Sequence, residues 1–312
     1  MTESKSSSSR FRTDLIDELQ KIDPTKTAQV ELDHFVKLAR HELQPNSYKQ
    51  IHVGLSQTYE DIRKKNQQTA SYYLKYMLNE LVANFRLEEA RIRLPQTICD
   101  LYIREISRIR DQLTQLNLEY YDFDNDPFVK DFALLTHRFI PVGAEFAVPF
   151  SGVPRRALFQ GGIRQFFRAT GVIMFRTCGF GPFVSLHAHP LALYDFNPEG
   201  WENTYHRLAE LLELNPIIKG ITSASWFLDP KLKSISPHLS YLRDVPEKNG
   251  AAFFFVEYDY EGTSGALAKS ATRRGLFRQG AYVPAIYMRV WARNDIFQWS
   301  RRNRHGAAEA IS

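Results

Sequence analysis

The stretch AEFAVPF, residues 144–150, is where the pattern of apolar residues changes along the chain. Before it, apolar residues recur at spacings of three and four, as in YLKYMLNELVANF and ICDLYIREISRIRDQL, which is the period of an amphipathic helix. After it, short apolar runs alternate with helical patterns, as expected for a sheet with helices packed on it. The sequence therefore predicts an α+β fold, in which an N-terminal helical subdomain is followed by a mixed α/β sheet domain.

The predicted order along the chain has four parts. A disordered tail, Ser-rich and without an apolar run, covers residues 1–12, the helical subdomain 13–140, the α/β domain 141–305, and a second disordered tail 306–312. Strands are predicted at 144–150, 171–177, 182–189, 217–227, 251–259 and 282–292. Helices of the second domain are predicted at 155–169, 198–214, 231–244, 265–280 and 294–302.

Composition restricts the class of protein. Hydrophobic residues make up 44% and charged residues 24%, which is ordinary for a globular chain. No run approaches the roughly 20 apolar residues of a membrane helix, and no signal peptide precedes the first domain. The only two cysteines, Cys99 and Cys178, argue against a disulfide framework or a structural zinc site. We expect a soluble, cytoplasmic protein whose oligomeric state is open.

The net charge of +5 is unevenly distributed. Residues 1–150 hold 20 basic against 22 acidic residues, whereas residues 151–312 hold 20 against 13. A basic second half is suited to an anionic ligand, although it also fits a solvated surface. Aromatic residues alternate with arginine in FFRAT and FQWSRRNR, but their helical spacing is more typical of a core than of a nucleic-acid surface. A small-molecule substrate is therefore expected, and nucleic acid is not.

Two arginine clusters are candidates for binding the phosphates of a cofactor. In RRALFQGGIRQFFR, Arg164 and Arg168 follow Arg156 at multiples of four, so that a helix would place them in one stripe. Arg273 and Arg274 form the second cluster, in SATRRGLFRQG. The planar guanidinium group binds phosphate oxygens in pairs. The alternative is that both clusters face only water.

A histidine pair in FVSLHAHPLALYDF, residues 183–196, suggests a second kind of site. On a strand, His187 and His189 would point to the same face and reach one zinc, iron or manganese ion. Asp195 is the nearest carboxylate, and His206 and His238 are distant candidates. The alternative is that the pair only forms hydrogen bonds at the end of a strand, because a metal site needs at least one more ligand.

Several common signatures are absent from the sequence. There is no G-x-x-x-x-G-K-[ST] loop, no G-x-G-x-x-G after a strand, no G-x-S-x-G elbow and no H-E-x-x-H. Nucleotide hydrolysis, Rossmann-type redox chemistry and serine hydrolysis are therefore disfavoured. One E-x-x-H pair, Glu31 and His34, has the spacing of di-iron bundles but has no second copy.

Two resemblances involve the second half of the chain. The pattern S-W-F-x-D-P, I-S-P-x-L-x-Y-L-R and N-G-A, within residues 223–251, resembles a set of uncharacterised bacterial proteins over roughly residues 165–295. The order strand, helix, strand, helix, strand across residues 183–258 resembles the GCN5-related acyltransferase superfamily. In that superfamily a tyrosine on the helix before the next strand often protonates the departing coenzyme A thiolate, and Tyr241 matches that position. The superfamily's glycine-rich pyrophosphate loop has no match in HAHPLALYDFNPEGW.

Three hypotheses follow. The resemblance implies an acyltransferase with an acyl-CoA-type donor and with Tyr241 as general acid. The arginine clusters add Arg164, Arg168, Arg273 and Arg274 as cofactor-binding residues. The histidine pair implies a metal-dependent enzyme in which His187 and Asp195 are catalytic and His187 and His189 bind a divalent transition metal. The third hypothesis is a non-catalytic binding module that uses residues 1–140 as a docking surface.

Overall fold

The computed structural model describes residues 36–39, 46–115 and 117–309, the last five of these by their backbone alone. In this part of the chain helices come first and a mixed sheet follows, which confirms the predicted α+β class. None of the described helices is long and apolar enough to cross a bilayer. The predicted N-terminal tail and the Glu31–His34 pair lie outside the described residues.

The chain divides into two compact units. The first comprises residues Met1–Ile92, Gln96–Pro141 and His189–Leu191, and the second comprises Arg93–Pro95, Val142–Ala188 and Ala192–Ser312. Helices dominate the first unit, and five of the six strands found in the described ranges belong to the second.

Four helices make up most of the first unit. They are α1 (Val53–Lys65), α2 (Gln67–Ala83), α3 (Gln96–Thr114) and α4 (Asp126–Leu135). Asn66 separates the first two helices: its backbone is extended, and its side-chain oxygen accepts a hydrogen bond from the Thr69 amide at the start of α2. The unit also contains the two-residue strand β1 (Ile140–Pro141).

The second unit is built on the remaining strands, β2 (Phe146–Ser151), β3 (Phe183–His187), β4 (Gly220–Ser225), β5 (Ala252–Tyr258) and β6 (Ala285–Ala292). They are ordered β2-β3-β4-β6-β5 across the sheet. Strands β3 and β4 are parallel, and the other neighbouring pairs are antiparallel. The parallel pair is short, since its register consists of Val184 opposite Ile221 and Ser185 opposite Thr222.

The parallel pair requires a crossover, which helix α6 (Pro198–Leu214) provides. Asn197 begins this helix, and its side chain accepts a hydrogen bond from the Gly200 amide at 2.9 Å. The next strand begins at Gly220, where φ is +153° and a Cβ atom would lie 2.2 Å from the Trp291 carbonyl oxygen. Only glycine allows the two strands to approach so closely at this point.

The prediction of a strand at residues 171–177 is wrong. The chain forms helix α5 (Gly162–Gly171), which continues without a break as a π-helical turn, Val172–Arg176. Val172 and Ile173 pack into the core beneath the helix, whereas Met174 and Phe175 are exposed. A run of consecutive apolar residues does not by itself distinguish a strand from a helix with apolar residues on both sides.

Three predicted helices of the second unit are shorter than expected. The helix predicted at 155–169 is interrupted at Gly162, where φ is +77°, so that a 3₁₀ turn precedes α5. The one predicted at 231–244 is interrupted at Pro237 and forms α7 (Leu232–Ile235) and α8 (Tyr241–Lys248). In the third, Ser270 caps α9 (Ala271–Arg278), so residues before it are not α-helical. The last helix of the described residues is α10 (Arg293–Glu309).

Candidate functional site

A cavity of about 310 Å³ lies between helices α6, α8 and α10 of the second unit. Four of its lining residues are aromatic and four are polar or charged. The lining residues are Pro198, Trp201, Glu202, Tyr205, Tyr241, Val245, Lys248, Asn249, Trp299 and Asn303. A cavity of this size and lining accommodates an apolar or planar part of a small molecule.

The positions of two helix starts explain why these residues meet. Helix α6 follows β3, and its first two turns place Trp201 and Tyr205 on one face, four residues apart. Helix α8 follows β4 after the interruption at Pro237, and Tyr241 is its first residue. The amino-terminal parts of α6 and α8, which follow β3 and β4, therefore supply one side of the cavity.

Tyr241 is half-buried at this cavity. Burial raises the pKa of its phenol to about 12, so that the hydroxyl group stays protonated at neutral pH. Within the described ranges, no hydrogen bond engages this hydroxyl group. A protonated phenol in such a position can donate a hydrogen bond to a ligand.

A buried cation lies behind the aromatic wall. Arg289 is 1% exposed, and its Nη1 donates a hydrogen bond to the Tyr205 hydroxyl oxygen at 2.7 Å. The same guanidinium group lies over the rings of Trp201 and Tyr205, 5.5 Å from each ring centroid. Burial raises the pKa of Tyr205 to about 12 despite the opposing effect of Arg289. This contact fixes Tyr205 and leaves Tyr241 as the lining phenol available to a ligand.

The arginines predicted to bind a cofactor do not line this cavity. Arg164 is exposed on α5. Arg168 donates a hydrogen bond from Nη2 to the Phe253 carbonyl oxygen at 2.7 Å, and its guanidinium group lies 5.6 Å from the centroid of the Phe254 ring. The structure therefore does not bring this pair together with Tyr241 in one pocket.

Arg273 and Arg274 have opposite environments. Arg273 is 5% exposed, lies over the Trp226 ring and donates hydrogen bonds to the Ala266 carbonyl oxygen at 2.6 Å and to Ser236 Oγ at 2.8 Å. Arg274 is exposed and donates to two backbone carbonyl groups of the preceding loop. Arg273 is thus a packing residue, and only Arg274 faces solvent.

This difference predicts unequal effects on stability. Replacing Arg273 by Ala is expected to lower the free energy of unfolding by about 2–3 kcal/mol, because two hydrogen bonds from a charged group and the aromatic contact are lost. Replacing Arg274 by Ala should change it by less than about 0.5 kcal/mol. Urea unfolding of both variants measures this difference. Equal effects, or a weaker affinity for a cofactor without loss of stability, would contradict the structural role of Arg273.

The histidine pair predicted to bind a metal lies at the end of β3. Strand β3 ends at His187, so the extended alternation that would align the two rings stops before His189. The two residues belong to different units of the chain. Among the residues that the structure describes, no group of three or more His, Cys, Asp and Glu side chains is arranged to hold a metal ion.

Each predicted ligand has a different local environment. His187 Nε2 lies 3.1 Å from Ser185 Oγ. His206 Nδ1 lies 2.9 Å from Ser300 Oγ, and His238 is exposed on a 3₁₀ turn. Asp195 is half-buried in the turn before α6, where its carbonyl oxygen accepts a hydrogen bond from the Asn197 amide. None of these four residues lines the cavity at Tyr241.

His189 belongs to a buried polar network in the first unit. Both it and Asp131 are fully buried, and His189 Nε2 lies 3.0 Å from Asp131 Oδ1. Arg108 and the Tyr120 hydroxyl group also donate hydrogen bonds to the Asp131 carboxylate. The other ring nitrogen of His189, Nδ1, accepts from the Leu191 amide at 3.2 Å. With both nitrogens engaged, the imidazole orders buried backbone and carboxylate groups.

The sequence analysis missed the residues that shape the cavity around Tyr241. Trp201 and Tyr205 stand four residues apart on a helix whose start was predicted, so this spacing was available as a signal. Trp299 and Arg289 come from elements far along the chain, and no local pattern connects them with α6. No known family model, curated protein or solved structure matches this chain.

Proposed function

We propose that the protein is an acyltransferase that moves an acyl group from an acyl-CoA-type thioester to a small molecule at the cavity beside Tyr241. The observation that carries the proposal is the position of this phenol, protonated and available, between the first turns of α6 and α8. The strand and helix order of the GCN5-related superfamily supports it, because Tyr241 follows β4 as the superfamily's acid follows its strand.

In the proposed reaction a nucleophile of the acceptor forms a bond to the acyl carbon while the carbon–sulfur bond breaks. The electron pair of that bond goes to sulfur, and the acceptor loses its proton to solvent. Tyr241 donates a hydrogen bond to the departing sulfur. Because its pKa of about 12 lies above that of an ordinary thiol, about 8.5, the phenol keeps its proton and stabilises the developing thiolate by a hydrogen bond. The released thiolate then takes a proton from water.

The rest of the cavity suits the uncharged part of a thioester donor. Trp201, Tyr205 and Trp299 present aromatic surface, which favours apolar chains and planar groups. Lys248 is the basic lining residue, and Glu202 is the acidic one. The phosphates of the donor have no glycine-rich loop to bind them, so we expect the aromatic surface to supply most of the affinity.

The test separates binding from chemistry. Wild-type protein is titrated with coenzyme A and acetyl-CoA by calorimetry, and thiol release is followed with a panel of small amines. Replacing Val245, a half-buried lining residue, by Trp should fill the cavity and weaken binding at least tenfold. Ile217→Trp is the matched control, since Ile217 is 65% exposed elsewhere in the second unit.

The outcomes are distinct. Binding that is lost in Val245→Trp and kept in Ile217→Trp, together with thiol release, supports the transferase. Binding of coenzyme A without any thiol release indicates a non-catalytic module. No binding of either ligand by the wild-type protein overturns the proposal.

A further inference from the structure

Five large apolar side chains project from one segment of the second unit. They are Phe159, Ile163, Phe167, Met174 and Phe175, with exposed fractions of 63%, 68%, 67%, 57% and 86%. We refer to these five residues as the outer ridge. Isolated exposed apolar residues are common on proteins, but five within 17 consecutive residues form a patch that calls for an apolar environment.

Helix geometry places Ile163 and Phe167 of the outer ridge on one face. Ile163 and Phe167 are four residues apart on α5, which forms one helical run over residues 162–176 with its π-helical turn. Phe159 lies in the turn before this run, with its ring centroid 5.1 Å from that of Phe166. The opposite side of this run is anchored, since Ala169 and Ile173 are buried in the cluster that packs on the sheet. Because the inner side of the run is packed into the core, the side chains of the outer ridge face away from it.

The charge around the ridge has a single sign. Residues 146–194 contain five arginines and no Asp or Glu. All five, Arg155, Arg156, Arg164, Arg168 and Arg176, are exposed. Only Arg176 has an acidic partner among the described residues, Asp295 at 2.5 Å. The segment thus combines protruding apolar side chains with positive charge, and it contains no acidic residue that would neutralise this charge.

We propose that the outer ridge and its arginines form a surface that binds an anionic lipid bilayer, with the helical run 162–176 lying in the interface. An amphipathic helix with Phe, Ile and Met on one face and arginine beside it is the arrangement that inserts at the boundary of headgroups and acyl chains. Arginines near such a surface each add attraction to acidic lipids. The ridge protrudes, so it fits a deformable layer better than a flat protein partner.

The full-length protein is tested by cosedimentation with vesicles of phosphatidylglycerol and phosphatidylcholine, mixed one to one, and with vesicles of phosphatidylcholine alone. We expect binding to the anionic vesicles at least about tenfold stronger than to the neutral ones, and its loss in high salt. Phe167→Ser combined with Phe175→Ser should abolish it. Arg156→Gln combined with Arg164→Gln should weaken it by about fivefold per arginine.

Matched controls separate the ridge from general effects. Ile217→Ser removes another exposed apolar side chain, and Arg278→Gln with Arg301→Gln removes two exposed arginines outside the segment. These variants should bind as the wild type does, and thermal melting should show that all variants remain folded. Equal vesicle binding by ridge and control variants overturns the proposal. The proposal is also overturned if the wild-type protein does not bind vesicles but instead self-associates, or binds an acidic helical peptide, through Phe167 and Phe175.

Discussion

Replacing Tyr241 by Phe is expected to lower the turnover of acyl transfer by roughly 100-fold or more, with coenzyme A affinity nearly unchanged. The aromatic ring stays in the cavity, so ground-state contacts are kept, and only the hydrogen bond to the departing sulfur is lost. Initial rates of thiol release at saturating donor measure the turnover, and calorimetry measures the affinity.

Tyr260→Phe is the matched control, because Tyr260 is a 71% exposed tyrosine of the same unit and does not line the cavity. It should behave as the wild type does. Since burial raises the pKa of Tyr241 to about 12, the wild-type rate should show no loss from phenol ionisation below about pH 11. A Tyr241→Phe variant with wild-type turnover would remove the catalytic role from this residue.

Replacing Asp131 by Ala is expected to lower the free energy of unfolding by about 3–5 kcal/mol. Asp131 is fully buried and accepts hydrogen bonds from Arg108, Tyr120 and His189. Removing the carboxylate takes a buried acceptor away from Tyr120 and His189, and Arg108 loses its hydrogen bonds to Asp131 while it retains the one to Glu105. Urea unfolding of the variant against the wild type gives the difference.

The surface pair of Asp124 and Arg63 provides the control for Asp131. Asp124 Oδ2 lies 3.0 Å from Arg63 Nη1, but the Asp124 side chain is 83% exposed. Asp124→Ala should therefore cost less than about 1 kcal/mol. If both substitutions cost the same, the buried network contributes no more than an exposed ion pair.

The same network predicts how stability depends on pH. Burial by itself would raise the pKa of the Asp131 carboxyl, but the hydrogen bonds from His189 and Arg108 outweigh it, and the pKa is lowered. A carboxyl with a lowered pKa stabilises the folded state above its unfolded pKa of about 3.9, and this contribution is lost as the pH falls through the folded value. The wild type should lose its advantage over Asp131→Ala in acid below about pH 4. A difference that stays constant from pH 7 to pH 2 would contradict this assignment.

The fold class was available from the sequence because hydrophobic periodicity is a local property. The short apolar run in AEFAVPF and the spacing of apolar residues in the first 140 positions depend only on neighbouring residues. The Asn197–Pro198 start of α6 was predicted for the same reason, since capping involves a single helix turn. At residues 171–177, where an apolar run fits a strand or a helix, the chain forms a helical turn whose inner residues pack into the core on the sheet.

Only part of the candidate site could be predicted from local sequence patterns. The resemblance to the GCN5-related superfamily singled out Tyr241, but the cavity around it needs Trp201 from one helix and Trp299 from another, and their meeting depends on the order of strands in the sheet. Likewise, Arg273 and His189 look in the sequence like residues that bind a ligand. Only the tertiary structure buries Arg273 against Trp226 and His189 against Asp131, because whether a charged side chain faces water or a partner is set by contacts distant along the chain.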